Sequence, residues 1–275
     1  RTEFVRPIQW IAIVFGGEVI QKNIFEITSS NITRGHRFHC NQELTITAAN
    51  QYESVLKEQG KVVADYQLRK DSIRKQITAL GETLGGHTVI GDDLLDEVCS
   101  LVEWPVALAG SFEERFLKVP AEALISSMKE HQKYFHVVDS SGNLMPFFIT
   151  VSNIESHDPK KVIAGNERVI RPRLSDAAFF FETDCKTSLE NRRERLRAIV
   201  FQDKLGSIYD KTCRVAELSV DIAKLLDAHP DTATRAATLS KSDLVTDMVL
   251  EFDDMQGIAG YYYAKNDGEA DDVAL

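Results

Sequence analysis

The sequence predicts an α+β fold over residues 1–158 followed by an all-α fold over residues 159–275. Three observations carry this reading. Short apolar runs punctuated by glycine and polar turns recur through the first part, with helical stretches between them and no strict βαβ alternation. Strand signals almost vanish after Asp158-Pro159. Four long stretches of helical spacing then follow, so the change of architecture falls near residues 155–175.

The elements follow in chain order. Ile8 to Phe15 is a short apolar run before Gly16-Gly17, and Glu18-Val19-Ile20 resumes after it, which predicts a β-hairpin with a glycine turn. Phe25 to Ile32 and Leu44 to Ile46 are further strand candidates, separated by the polar, turn-like segment Thr33 to His39. Helical periodicity begins near Asn50, is interrupted at Gly60, and continues through Val63, Tyr66, Ile73, Ile77 and Leu80 to a stop at Gly85-Gly86. Asp92 and Asp93 are expected to cap a helix carrying Leu94, Leu95, Val98, Leu101 and Val102, and Pro105 ends it. A strand around Val106–Leu108 follows, then a helix opened by Pro120 whose buried face is Leu124, Ile125 and Met128. Tyr134–Val138 and Leu144–Val151 read as a hairpin around Asp139–Asn143.

Beyond Pro159 the helix candidates are about 160–181, 188–204, 208–226 and 233–252. The third carries an apolar stripe of Ile208, Val215, Leu218, Ile222, Leu225 and Leu226, which predicts a core-facing surface.

Composition bounds the function. With 43% hydrophobic and 27% charged residues the chain is of ordinary globular type. A net charge of −10 opposes a general nucleic-acid coat protein but allows a local basic patch. Such a patch exists: residues 160–214 hold thirteen Lys or Arg against eight Asp or Glu, whereas residues 241–275 hold two against nine. The four cysteines are scattered and have no zinc-like spacing, which suits reduced thiols in a cytoplasmic protein. No run of about 18 apolar residues offers a membrane span. The first residues lack a methionine and a signal-peptide pattern, and the last residues lack a helix stop, so the expectation is a fragment of a longer chain.

The motif search predicts no catalytic, cofactor or metal residues. There is no GxxxxGK[ST], GxGxxG or GxSxG, and Gly110-Ser111 lacks the context of a nucleophile elbow. His157-Asp158 is the only His-Asp doublet; it precedes Pro159, where Asp158 is expected to cap a helix. His131 and His136 have no partner spacing for a metal. The basic stretch has more content. Arg168, Arg171 and Arg173 precede Phe179-Phe180-Phe181, and Arg192, Arg193, Arg195 and Arg197 follow within two helical turns. Guanidinium groups suit bidentate contact with phosphate. The competing reading pairs these arginines with Glu167, Asp176, Glu190 and Glu194 and buries the phenylalanines as core anchors.

Several segments carry a resemblance. Glu97-Val98 with Leu101-Val102-Glu103-Trp104-Pro105, then 119–124 (VPAEAL), 128–135 (MKEHQKYF) and 153–156 (NIES), lead into 165–177 (GNERVIRPRLSDA). Phe179-Phe180-Phe181, 204–207 (KLGS), 239–244 (LSKSDL), Glu251-Phe252, Met255-Gln256-Gly257, Tyr263-Ala264 and Gly268-Glu269 follow. Phe4-Val5-Arg6-Pro7 and Arg34-Gly35-His36-Arg37-Phe38 come earlier. Together, in order and over essentially the whole chain, these runs resemble the central part of the beta subunits of bacterial two-subunit glycyl-tRNA synthetases.

The resemblance implies a chain that works beside a catalytic alpha subunit in an α2β2 assembly. The alpha subunit uses ATP with Mg to activate glycine and transfer it to tRNA(Gly); the beta subunit binds and positions tRNA. It also implies that residues 1–158 are similar to the editing-type module of phenylalanyl-tRNA synthetase, and that residues 159–275 begin a helical domain related to HD phosphohydrolases. In that region the chain has Lys241-Ser242-Asp243 where the hydrolases carry His-Asp, so the fold is expected to serve packing or RNA contact. Arg168, Arg171, Arg173, Arg192 and Arg193 are the expected phosphate contacts. The alternatives are a tRNA-editing or HD-type metal phosphohydrolase, and a structural scaffold for the alpha dimer.

Overall fold

The computed structural model describes residues 8–275, so the match at Phe4-Val5-Arg6-Pro7 lies outside the described residues. The described residues divide into two compact units, one of residues 8–111 and 133–166, the other of residues 112–132 and 167–275. The passage at 166/167 falls inside one helix, eight residues beyond the cut at 158/159 expected from sequence. The segment 112–132 also joins the second unit.

The first unit opens with small antiparallel ribbons. β1 (Val14–Phe15) pairs with β2 (Glu18–Val19) across Gly16-Gly17, with Gly16 at φ +60°, as the glycine pair predicts. Phe25 to Ile32 is not one strand. β3 (Asn23–Ile24) and β4 (Ile27–Thr28) pair around Phe25 and Glu26, both at positive φ. That conformation is uncommon outside glycine, Asn and Asp, so the sequence carried no turn signal there. β5 (Ile32–Arg34) pairs with β6 (Glu43–Thr45).

α1 (Tyr52–Glu58) and α2 (Tyr66–Thr83) follow, and Gly85 at φ +80° turns the chain after α2. The chain continues through β7 (His87–Thr88), α3 (Asp92–Leu101) and β8 (Val106–Ser111). The N-cap of α3 is Gly91, with no side-chain cap. Asp92 and Asp93 occupy its first turn, where their charge complements the helix dipole. β9 (Phe135–Val138) and β10 (Leu144–Ser152) form the expected hairpin. One four-stranded antiparallel sheet results, in the order β7-β9-β10-β8. Ile73 and Ile77 of α2, Leu94, Leu95 and Val98 of α3, and Phe135, Val137 and Ile149 of the sheet share one buried core.

In the second unit, α4 (Ala121–Ser126) starts after Pro120 and buries Leu124, with Met128 in the π-turn that follows. α5 (Pro159–Asp184) runs unbroken through Pro172 and buries Ile170, Leu174 and Ala177. The predicted helix 188–204 is shorter than expected. α6 (Leu189–Arg192) becomes a 3-10 helix over Arg193–Ala198, and β11 (Val200–Gln202) then pairs with β12 (Gly206–Ser207). Gly206 at φ +83° permits that turn. α7 (Ile208–Leu225) opens on a capping box between Ser207 and Asp210. α8 (Pro230–Leu239), α9 (Asp247–Glu251), α10 (Ile258–Asn266) and α11 (Asp271–Ala274) complete the unit.

The stripe on α7 is a correction. Val215, Leu218, Ile222, Leu225 and Leu226 lie exposed in this structure, the last two at 84% and 73%, while Thr212 and Ala223 are the buried residues of that helix. All four cysteines are free thiols. Among the described residues no helix is long and apolar enough to cross a membrane.

Candidate nucleic-acid interface

The predicted arginines all lie in the second unit, on α5, α6 and the 3-10 helix, and they divide by burial. Arg168 and Arg171 are exposed neighbours at i, i+3 on α5. Arg168 has no ion-pair partner among the described residues, and the same holds for Arg195 in the 3-10 helix. Arg171 Nε donates to Glu113 Oε1 at 2.8 Å, and Arg173 Nη1 lies 3.8 Å from Glu251 Oε1. The hydrogen bond from its own backbone, and then the charge of Arg171, hold the Glu113 carboxyl below its ordinary value.

Arg192 is a correction. It is 6% exposed, and its guanidinium donates to the carbonyls of Thr187 and Asp184 while pairing with the Asp184 carboxylate at 3.0 Å. Asp184 also accepts from the backbone N–H groups of Asp247 and Met248 and from the Tyr263 hydroxyl. Asp184 therefore ties Arg192 and the start of α9 to the end of α5, and the buried Arg192 guanidinium is closed to a phosphate.

Arg193 and Arg197 share Tyr209. Their guanidinium carbons lie 4.5 Å and 3.5 Å from its ring centroid. Arg197 also donates to Glu194 at 2.7 Å, a bond that lowers the Glu194 carboxyl pKa and raises that of the guanidinium. Arg193 Nη2 lies 3.3 Å from Cys213 Sγ, and its Nε is buried without a partner. Of the four acidic residues expected to pair with the cluster, Glu194 does so; Glu190 pairs with Arg235 instead. Sequence reasoning missed Glu113, Glu251 and Tyr209, because their distance along the chain gives no sign of proximity.

The three phenylalanines play separate parts. Phe181 stacks on Tyr263 with centroids 5.6 Å apart, whereas Phe179 is 62% exposed and meets Phe180 edge-on. Phe179 is thus not a core anchor.

At the position expected for the hydrolase doublet, Lys241 adopts φ +68° and Ser242 and Asp243 are buried. The Asp243 carboxylate accepts from the Gly257 N–H, a structural use of the group. The Asp158 carboxylate pairs with Lys161 at 3.3 Å immediately before α5. Among the described residues no three His, Cys, Asp or Glu side chains are grouped to hold a metal.

A family profile described as "Glycyl-tRNA synthetase beta subunit" matches residues 1–275. Proteins named glycine–tRNA ligase beta subunit from Marinobacter nauticus, Hahella chejuensis and Chromohalobacter salexigens are 61%, 54% and 53% identical to this chain over its full extent. The chain spans 40% of the length of each of these relatives. With its whole extent matched, the chain belongs to the glycyl-tRNA synthetase beta subunit family.

Proposed function

We propose that this chain is a non-catalytic part of the beta subunit of a glycine–tRNA ligase, and that it helps bind and position tRNA(Gly) beside a catalytic alpha subunit. The alpha subunit carries the ATP- and Mg-dependent attachment of glycine within a cytoplasmic α2β2 assembly. The contribution of this chain is placement: holding the tRNA near the alpha active site lowers the entropic part of the barrier to transfer.

The observation that supports this most is the exposed Arg168–Arg171 pair on α5, with Arg168 free of any ion pair among the described residues. Arg173 lies on the same helix, exposed and 3.8 Å from Glu251, whereas Arg193 is half-buried with its guanidinium over Tyr209. Arg192 drops out of the set because Asp184 and two carbonyls consume its donors.

The test is glycylation by the alpha subunit with full-length beta subunit carrying Arg168→Ala, Arg171→Ala and Arg173→Ala together. Reduced tRNA affinity and slower charging, with unchanged glycine activation, is the expected result. Unchanged affinity and charging would remove this face from the interface.

A further inference from the structure

The Arg34-Gly35-His36-Arg37-Phe38 run is left unused by the arginine face, and the structure shows it to be built with unusual care. It joins β5 to β6 in the first unit. A Cβ on Gly35 would lie 2.5 Å from the Cα and the carbonyl oxygen of Gly60, so only glycine allows this approach. The next residue fixes the loop. The N–H of His36 donates to Gly60 O at 2.7 Å, and its carbonyl accepts from Cys40 N at 2.8 Å. His36 is 1% exposed, and its Nδ1 accepts from the N–H groups of Phe38 and His39 at 3.2 and 3.3 Å. Its Nε2 is buried without a partner. A buried, incompletely satisfied histidine is a costly way to hold a surface loop.

The loop displays Arg37 and Phe38, both exposed. Beside it lies a cavity of about 630 Å³, within the roughly 300–1,000 Å³ range of ligand sites. Trp10, Arg34, Arg37, Asn41, Gln42 and the carboxylate-bearing Glu43 are among the residues that line it. Trp10 stays 42% exposed. Its Nε1–H donates to Thr33 Oγ1 at 3.3 Å, and the Arg34 guanidinium lies over its ring, 5.5 Å from the centroid, while its Nη2 donates to Glu43 Oε1 at 3.4 Å. Arg37 is exposed and lies over Phe38, itself 69% exposed.

We propose that this cavity takes one unpaired nucleotide of single-stranded RNA. The base stacks on the exposed Trp10 indole beside the Arg34 guanidinium, side-chain amides of Asn41 and Gln42 meet its polar edge, and Arg37 meets a phosphate. Membership of a tRNA ligase family makes RNA the source of that nucleotide. The site is independent of the arginine face on α5, and either can fail alone.

The experiment uses full-length beta subunit and fluorescence anisotropy with a fluorescein-labelled single-stranded RNA hexamer, against a blunt RNA hairpin as control. Trp10→Ala and Arg37→Ala are each expected to weaken hexamer binding by about tenfold while leaving the hairpin unchanged. Trp10→Phe, which keeps an aromatic plane, restores most of the affinity. AMP competing with the hexamer would show that a lone nucleotide suffices; hexamer loss in the variants without AMP competition would show that the neighbouring backbone is also needed. Arg37→Ala perturbs no buried group, so it carries the test if Trp10→Ala unfolds. Hexamer binding unchanged in folded Arg37→Ala protein, or an equal loss for the hairpin, overturns the proposal.

Discussion

The guanidinium of Arg192 lies 3.0 Å from the carboxylate of Asp184, and the side chains are 7% and 1% exposed. The carboxylate is also the first partner of the α9 amides at Asp247 and Met248. Removing the arginine leaves a buried anion without its counter-charge, which costs about 3–5 kcal/mol. Arg192→Ala is expected to lower the stability of the chain by that amount in urea unfolding. Arg192→Lys recovers only part, because an ammonium lacks the planar fork that reaches two carbonyls and the carboxylate together. A stable Arg192→Ala chain would show that the pair does not hold the second unit together.

Glu113 holds the Nε of Arg171 and places a negative charge beside a guanidinium whose side chain is 52% exposed. Glu113→Gln removes the competing charge and is expected to strengthen tRNA binding by full-length beta subunit. Arg168→Ala with Arg171→Ala weakens it and flattens the plot of log affinity against log salt by roughly 0.7–0.9 for each phosphate that is no longer neutralised. Measuring the slope as well as the affinity separates weaker phosphate neutralisation from a general loss of fold.

The legibility of this chain was uneven, and particular residues show why. The hairpin at Phe135–Ser152 was readable because strand alternation and the Asp139–Asn143 turn are local signals. The β3–β4 turn was not, since Phe25 and Glu26 rarely adopt positive φ. At the candidate interface, sequence found the arginines but could not separate Arg192 from Arg193. They are adjacent in the chain, and only the return of Asp184 and the α9 amides to the same place makes one of them a core residue. The family resemblance was readable for a different reason: it rests on many ordered segments and needs no tertiary information.

Gly110 faces Phe148 directly across the β8–β10 pair. A Cβ there would lie 2.3 Å from the tip of the Phe148 ring, which is fully buried and stacks on Tyr134 with centroids 4.6 Å apart. Gly110→Ala is expected to destabilise the first unit by about 1–3 kcal/mol or more, since the ring has no free space to enter. Adding Phe148→Leu should recover part of that loss, a coupling readable in a double-mutant cycle by thermal or urea unfolding.

Tyr134 links pH to stability on the alkaline side. Burial pushes its phenol up to about 12 from an ordinary 10.0, while its hydroxyl donates to Asn166 Oδ1 at 2.6 Å. Between these two values the unfolded chain releases a proton that the folded chain keeps, so the native state binds more protons and its stability falls as pH rises. The contribution is fully present below pH 10 and is lost as pH approaches 12. Tyr134→Phe is expected to remove this part of the alkaline slope at a cost of about 1 kcal/mol at neutral pH for the lost hydrogen bond. Urea midpoints of both chains from pH 8 to about pH 11 test it; parallel curves would contradict the assignment.

The helical periodicity of α7 suggested that Leu218, Ile222 and Leu225 face a core, yet Ala223 is the residue that is 4% exposed while Leu225 stands 84% exposed. An amphipathic pattern gives the direction of an apolar face but not whether anything covers it. The two faces of this helix therefore make opposite predictions. Leu225→Ser should leave the stability of this chain within about 0.5 kcal/mol of wild type, as for an uncovered surface position. Ala223→Asp places an unpaired carboxylate in a buried position and should cost more than about 2 kcal/mol. Urea unfolding of the two variants decides the matter: a large loss from Leu225→Ser with tolerance of Ala223→Asp would mean that the helix is rotated to present its stripe inward.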